Sequence, residues 1–142
     1  MNIVITGGAG FLGVRLARAL LAQGTLSLAG QAPEAIDRLT LVDRASPPTD
    51  LLADARVKSE EGDLNALLQP GPVGTAAIPA GTDLVFHLAA AVSGECEADF
   101  DLGMRSNLDA TRALLEACRA LKTRPVVVFA SSLAVFGKVP GQ

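Results

Sequence analysis

The run Thr6-Gly7-Gly8-Ala9-Gly10-Phe11-Leu12-Gly13 follows directly on the β-branched stretch Asn2-Ile3-Val4-Ile5-Thr6. A short apolar run of this kind reads as a strand buried on both faces. From Phe11 to Gln23, Leu12, Leu16, Ala19 and Leu20 recur at helical spacing, and Gly24 supplies a stop. Glycines between a strand and a helix allow a tight turn, a close approach of backbone to a ligand and close helix packing, because none carries a Cβ. The spacing reads either as GxGxxG (Gly8, Gly10, Gly13) or as GxxGxxG (Gly7, Gly10, Gly13). Both set the helix amino terminus, with its free N–H groups and partial positive charge, against a phosphate. A nucleoside-triphosphate P-loop is excluded, since Val14 and Arg15 stand where that motif requires Lys and Ser or Thr.

The rest of the chain keeps the alternation going. Leu39–Asp43 reads as a second strand after a long connection over 24–37, and Pro47-Pro48 mark the loop beyond it. Val57–Glu61 is a weaker third strand, diluted by Lys58, Glu60 and Glu61, and Leu64–Leu68 is a short helix. Residues 70–81, dense in Pro and Gly, form an excursion rather than a linker. Asp83–His87 is a fourth strand and Pro125–Ala130 a fifth, buried one. Between them the pattern predicts a helix from about Ala98 to Leu121, with Phe100, Met104, Leu108, Thr111, Leu115 and Cys118 on one apolar stripe. Nearly all-apolar strands alternating with helices imply α/β architecture: a Rossmann-like doubly wound parallel sheet, truncated after the fifth strand, in one domain over residues 1–142.

An acid at the end of the second strand sharpens the glycine motif. Asp43 lies 36 residues beyond Gly7, against about 20 in the simple dinucleotide fingerprint; the long connection at 24–37 accounts for the excess. A carboxylate there accepts hydrogen bonds from adenosine ribose hydroxyls and repels a 2′-phosphate, which favours NAD over NADP. Arg44 argues the other way, because a neighbouring guanidinium could receive that phosphate. The plainer alternative is that the glycines only make a turn and Asp43 caps a loop.

Composition excludes several other classes. A net charge of −3, with neither Trp nor Tyr and five Phe, offers no basic field or stacking platform for nucleic acid, and no attraction to anionic lipid. Cys96 and Cys118 with a single His do not make a metal site, and two free thiols suit a reducing compartment. The amino terminus lacks a basic n-region and no stretch is long enough to span a bilayer, so the expectation is a soluble, cytoplasmic chain. Hydrophobic residues make up 49% and 14 more residues are Gly, above the ~45–50% usual when both are counted together. Either alanine richness or a surface meant to be covered explains that excess.

Thr6-Gly7-x-x-Gly10-x-x-Gly13, Gly62-Asp63-Leu64, His87-Leu88-Ala89-Ala90, Asn107 and Ser131-Ser132-x-x-Val135-Phe136-Gly137 occur in an order that resembles the extended short-chain dehydrogenases, the NAD-dependent epimerase/dehydratase family. The resemblance runs along the whole chain but covers only the amino-terminal half of such an enzyme. It implies NAD as cofactor, with Gly7, Gly10, Phe11, Leu12 and Gly13 around the pyrophosphate and Asp43 on the adenosine ribose. Asp63 and Leu64 would lie along the adenine, although Asp63 is equally suited to cap the helix that follows it. Leu88, Ala89 and Ala90 would border the nicotinamide ribose, and Asn107 would bond nearby backbone and shape the site. His87 is read as a structural histidine beneath the cofactor. Ser132, or its neighbour Ser131, would be the catalytic serine that holds the substrate oxygen, and Ser93 would touch a substrate carboxylate.

The segments "FHLAAAVSGE" and "FASSLAVFG" most resemble those of a member of that family that oxidises a CH–OH group of a sugar acid, and the resemblance implies that activity. A sugar-nucleotide epimerase or dehydratase and a non-catalytic dinucleotide-binding module are the alternatives. In the family a Tyr-x-x-x-Lys pair follows the serine, the tyrosine removing the hydroxyl proton. This sequence has no tyrosine, and Lys138 follows none. The expectation is therefore an inactive cofactor half of an enzyme that, at full length, carries a substrate domain and pairs as a homodimer through the striped helix. No metal is implied.

Overall fold

The computed structural model describes residues 1–28, 30–71 and 75–137. Lys138 lies outside the described residues, as do positions 72–74 of the 70–81 excursion and Ala29 of the 24–37 connection. The chain runs through β1 (Asn2–Thr6), α1 (Phe11–Gln23), β2 (Thr25–Leu26), β3 (Glu34–Ala35), β4 (Arg38–Asp43), α2 (Thr49–Leu52), β5 (Val57–Glu61) and α3 (Leu64–Leu67). It continues through β6 (Leu84–His87), α4 (Ser93–Ala98), α5 (Phe100–Gly103), a π-helical turn (Met104–Asp109), α6 (Ala110–Ala120), β7 (Val126–Phe129) and a 3₁₀ turn (Leu133–Phe136). Five strands form a parallel sheet in the order β5-β4-β1-β6-β7, while β2 and β3 make a small antiparallel ribbon inside the 24–37 connection.

The sheet is built as its sequence dictates. β1 pairs with β4 on one side and β6 on the other, so its residues are apolar on both faces. Side chains alternate across the sheet. Ile3, Ile5, Leu39, Leu41 and Leu84 therefore face one way, onto Ala17 and Leu20 of α1 and Leu51 of α2. Val4, Val42 and Val85 face the other way, onto Leu114 and Cys118 of α6. That second layer is completed by Leu68, Ala77 and Ile78, so the Pro- and Gly-rich excursion returns two fully buried side chains to the core. Full burial of each large aliphatic side chain stabilises by roughly 1.5–3 kcal/mol. α1 ends at Gly24, whose φ of 72° is left-handed and whose N–H reaches the Leu20 carbonyl. Glycine takes that conformation without steric cost.

The helix expected from about Ala98 to Leu121 is present from Phe100 to Ala120, and the expectation that the fifth strand is buried is corrected. A separate α4 stops at Asp99, whose backbone is extended and whose carboxylate caps α5 by accepting from Leu102 N at 2.9 Å. On the continuous stretch from Phe100 to Ala120, the buried residues are Gly103, Ala110, Leu114 and Cys118. Phe100, Met104, Leu108 and Leu115, on the apolar stripe read from spacing, are exposed; that stripe is not the face buried on the sheet, which lies one residue back along most of the length. The inner face packs closely and takes small side chains; a Cβ at Gly103 would come within 3.0 Å of Cys96 Sγ. β7 is also not buried. Among the described residues it pairs with β6 alone, at the sheet edge, and leaves Val126, Val128 and Phe129 about half exposed. No helix among the described residues is long and apolar enough to cross a membrane.

Candidate dinucleotide site

At the carboxyl end of β1 the chain turns through Gly7, with φ of 73°, and the N–H groups of Gly7 and Gly8 both donate to the Val42 carbonyl at 2.8 and 3.1 Å. This ties the glycine turn to the end of β4. A Cβ on Gly13 would lie 2.1 Å from the Gly7 carbonyl oxygen, and one on Gly8 would lie 2.8 Å from Leu41 Cβ. Only glycine lets α1 start this close to the sheet. Gly10 is the N-cap of α1 and offers no side-chain cap, so the first-turn N–H groups point toward the space above the turn.

That space is a cavity of about 410 Å³. Its floor and one wall are Gly7, Gly10, Phe11, Leu12 and Gly13; the far wall is Leu88, Ala89, Ala90 and Ala91 from the segment after β6. Val42, Asp43 and Arg44, from the end of β4, and Gly62, Asp63, Leu64 and Asn65, from the β5–α3 junction, close one end. Glu95, Leu102, Ser106 and Ala110 complete the lining. Asp43 spans two segments, its carboxylate accepting from Ala9 N at 3.0 Å and Ala45 N at 3.2 Å. Asp63 serves as the N-cap of α3, accepting from Asn65 N at 3.0 Å, and also accepts from Arg44 Nη2 at 2.7 Å. The Arg44 guanidinium, with backbone N–H groups behind it, holds the Asp63 carboxyl below the usual carboxylate range.

The wall at Ala89–Ala91 is positioned from behind by polar side chains. Ala91 N donates to Asn107 Oδ1 at 2.8 Å, and Asn107 Nδ2 donates back to the Ala91 carbonyl at 3.0 Å. Asn107 belongs to the π-helical turn and holds the cavity wall without being one of its lining residues. Beneath it, Thr111 Oγ1 donates to the Asn107 carbonyl at 2.7 Å, so its only proton is committed. His87 Nε2, 2.9 Å from the same hydroxyl, is therefore the protonated nitrogen, and Nδ1 accepts from Thr6 Oγ1 at 2.7 Å. Ala89 N donates to Thr6 Oγ1 at 3.3 Å and completes the chain. His87 is buried, which pushes its pKa down. It acts as the structural histidine read from the sequence. Thr6 and Thr111 were missed as its partners; the signal was a lone histidine ending a buried strand, which needs a hydrogen-bond partner for each ring nitrogen.

Of the residues singled out for the cofactor, the cavity gathers Gly7, Gly10, Phe11, Leu12, Gly13, Asp43, Asp63, Leu64, Leu88, Ala89 and Ala90. Ser93 is the first residue of α4 and is exposed, and it does not line the cavity. Ser131 and Ser132 follow β7 and are exposed; the Ser132 carbonyl accepts from Val135 N at 3.3 Å as the 3₁₀ turn begins. Neither serine lines the cavity.

A parallel sheet in this strand order, with a glycine turn after its central strand and an acid ending the neighbouring one, defines a Rossmann-type dinucleotide-binding domain. The cavity fits such a ligand: helix N–H groups face it at the glycine cradle, and two carboxylates stand at one end. Residues 3–142 match the NAD dependent epimerase/dehydratase family, and the chain belongs to that family, whose cofactor is NAD. It is 59% identical over 139 residues to D-erythronate dehydrogenase of Cupriavidus necator, covering 96% of this chain and 40% of that protein. Among solved structures it is similar to a nucleoside-diphosphate-sugar epimerase from Agrobacterium tumefaciens, at 40% identity and TM-score 0.74, over 96% of this chain and 38% of that one. It is also similar to MoeE5 in complex with UDP-glucose and NAD, at 29% identity and TM-score 0.70, over 99% of this chain and 40% of that one. The chain thus spans about 40% of the length of the proteins it matches.

Proposed function

We propose that these residues form the NAD-binding half of an oxidoreductase that oxidises a CH–OH group of a sugar acid, D-erythronate or a close analogue, to the oxo acid. The observation that carries the reading is the 59% identity to D-erythronate dehydrogenase, over 96% of this chain. In this reading the first-turn N–H groups of α1 hold the pyrophosphate, Asp43 accepts from the adenosine ribose hydroxyls, and Asp63 and Leu64 lie along the adenine. Leu88, Ala89 and Ala90 leave room for the nicotinamide ribose, and the hydrogen bonds from Ala91 N to Asn107 and from Ala89 N to Thr6 keep that wall in register. Bound NAD supplies the hydride acceptor. Ser132 holds the substrate oxygen, and Ser93 touches the substrate carboxylate.

Loss of the hydroxyl proton needs a base with a pKa near the working pH. This sequence has no tyrosine, so we assign proton removal to a Tyr-x-x-x-Lys pair outside it. The 142 residues by themselves then bind NAD without turnover. The exposed apolar residues Phe100, Leu108 and Leu115 support a second copy meeting this helix in the full-length protein. A sugar-nucleotide epimerase is the second reading, favoured by the likeness to the nucleoside-diphosphate-sugar epimerase.

Two measurements test the proposal. Titrating NAD into the 142-residue chain raises its unfolding free energy saturably, by about 2.7 kcal/mol at a hundredfold excess over Kd; no shift removes the dinucleotide reading. The full-length protein with D-erythronate forms NADH and loses that activity on Ser132→Ala. Interconversion of a UDP-sugar without net NADH would decide for the epimerase instead.

A further inference from the structure

Arg44 and Asp63 form an ion pair that stability does not explain. The two side chains are 64% and 48% exposed, and exposed pairs of this kind contribute little to folding. The Asp63 carboxylate already has a structural task through its other oxygen, which caps α3 at Asn65 N. What distinguishes the pair is its place. Arg44 follows Asp43 at the end of β4, Asp63 follows β5, and the two junctions are joined by Gly62 N donating to the Asp43 carbonyl at 2.9 Å. Among the described residues lining the cavity, Arg44 is the one cation, paired with Asp63, and the other charged side chains of the lining are the carboxylates of Asp43 and Glu95.

Resting on the proposed dinucleotide reading, we infer that Asp63 is a specificity-determining residue: by holding the Arg44 guanidinium it keeps that cation from a 2′-phosphate, so NAD is selected by Asp43 and Asp63 together. A 2′-phosphate brought to this end of the cavity meets the Asp43 carboxylate directly, and the cation that could offset it is already occupied. Capturing Arg44 would require breaking a charge-assisted hydrogen bond of 2.7 Å and leaving the Asp63 carboxylate beside the phosphate. Adenine recognition does not produce this selection, because NAD and NADP carry the same base. An effect confined to the adenine alters both affinities by the same factor.

The test is Asp63→Asn in the full-length protein, with NAD and NADP dissociation constants measured by calorimetry or thermal shift rather than by turnover. Asparagine keeps the helix cap and loses the charge; Asp63→Ser, also a good cap, serves as a second variant against misfolding. We expect the NADP-to-NAD affinity ratio to rise about tenfold, as for one charge-assisted hydrogen bond gained by the phosphate. The gain shrinks with added salt and disappears in the Arg44→Ala/Asp63→Asn double variant. Equal weakening of NAD and NADP, an unchanged ratio, or a gain that survives Arg44→Ala overturns the inference while leaving the dinucleotide site intact. A wild-type protein that binds neither dinucleotide overturns both.

Discussion

His87 sits between two hydroxyls whose other bonds determine its protonation. Thr111 spends its proton on the Asn107 carbonyl, so the imidazole donates from Nε2 and accepts at Nδ1 from Thr6. The neutral ring satisfies every group in that chain, while the protonated ring would force the Thr6 hydroxyl to turn away from it. Burial acts in the same direction and lowers the His87 pKa below its ordinary value of 6.5. The sign of the pH dependence follows. Between the two pKa values the unfolded chain binds a proton that the folded chain does not, so stability is full above 6.5 and is lost as pH falls through the window beneath it. The slope there is at most about 1.4 kcal/mol per pH unit. His87 is the sole histidine, so a His87→Gln variant is expected to be less stable at neutral pH and to lose this slope. Urea unfolding of both proteins from about pH 7.5 to about 5.5 measures it; parallel slopes would mean that His87 does not titrate in this way.

The stretch from Phe100 to Ala120 shows what an element's residues disclose and what they conceal. Leu114 is fully buried against Val4, Val42 and Val85, whereas its neighbour Leu115 is 50% exposed. Leu114→Ala should cost about 2–5 kcal/mol, and Leu115→Ala about 0.5 kcal/mol or less. Equal costs in chemical denaturation would mean that Leu115 packs inside the molecule as Leu114 does. That stripe favoured large apolar residues, but the face packed on the sheet and on α4 uses Gly103 and Ala110, which periodicity weighs lightly. The π-helical turn was likewise hidden: Ala110 N reaches the Arg105 carbonyl five residues back, a change of winding that no residue type announces. The parallel strands were legible because β-branched runs ending at glycine or acid have few other uses, and the glycine turn because three of its positions admit no Cβ. Ala77 and Ile78 were not, since their burial depends on the fold that the 70–81 excursion crosses. Ser93 and Ser132 were carried over from the family resemblance, and both stand outside the cavity lining.

At the scale of the molecule, burial is uneven. β1, β4 and β6 are shielded on both sides, while β7 at the sheet edge and the 3₁₀ turn after it expose Val126, Val128, Phe129, Leu133, Val135 and Phe136. Six of the 14 exposed large hydrophobic side chains among the described residues lie here. A strand edge with unpaired backbone groups and exposed branched side chains is a template for another strand. The 142-residue chain, purified by itself, is therefore expected to associate as its concentration rises. Val128 offers a clean test, because it is exposed on β7 and lies outside the cavity lining. Val128→Lys places a charge on the edge, the device by which edge strands resist pairing. Sedimentation velocity should show the wild-type chain shifting toward larger species with concentration and the variant remaining smaller, with NAD-induced stabilisation unchanged between them. If the variant associates as strongly as the wild type, the contact lies elsewhere. The exposed Phe100, Leu108 and Leu115 would then be the surface to alter next.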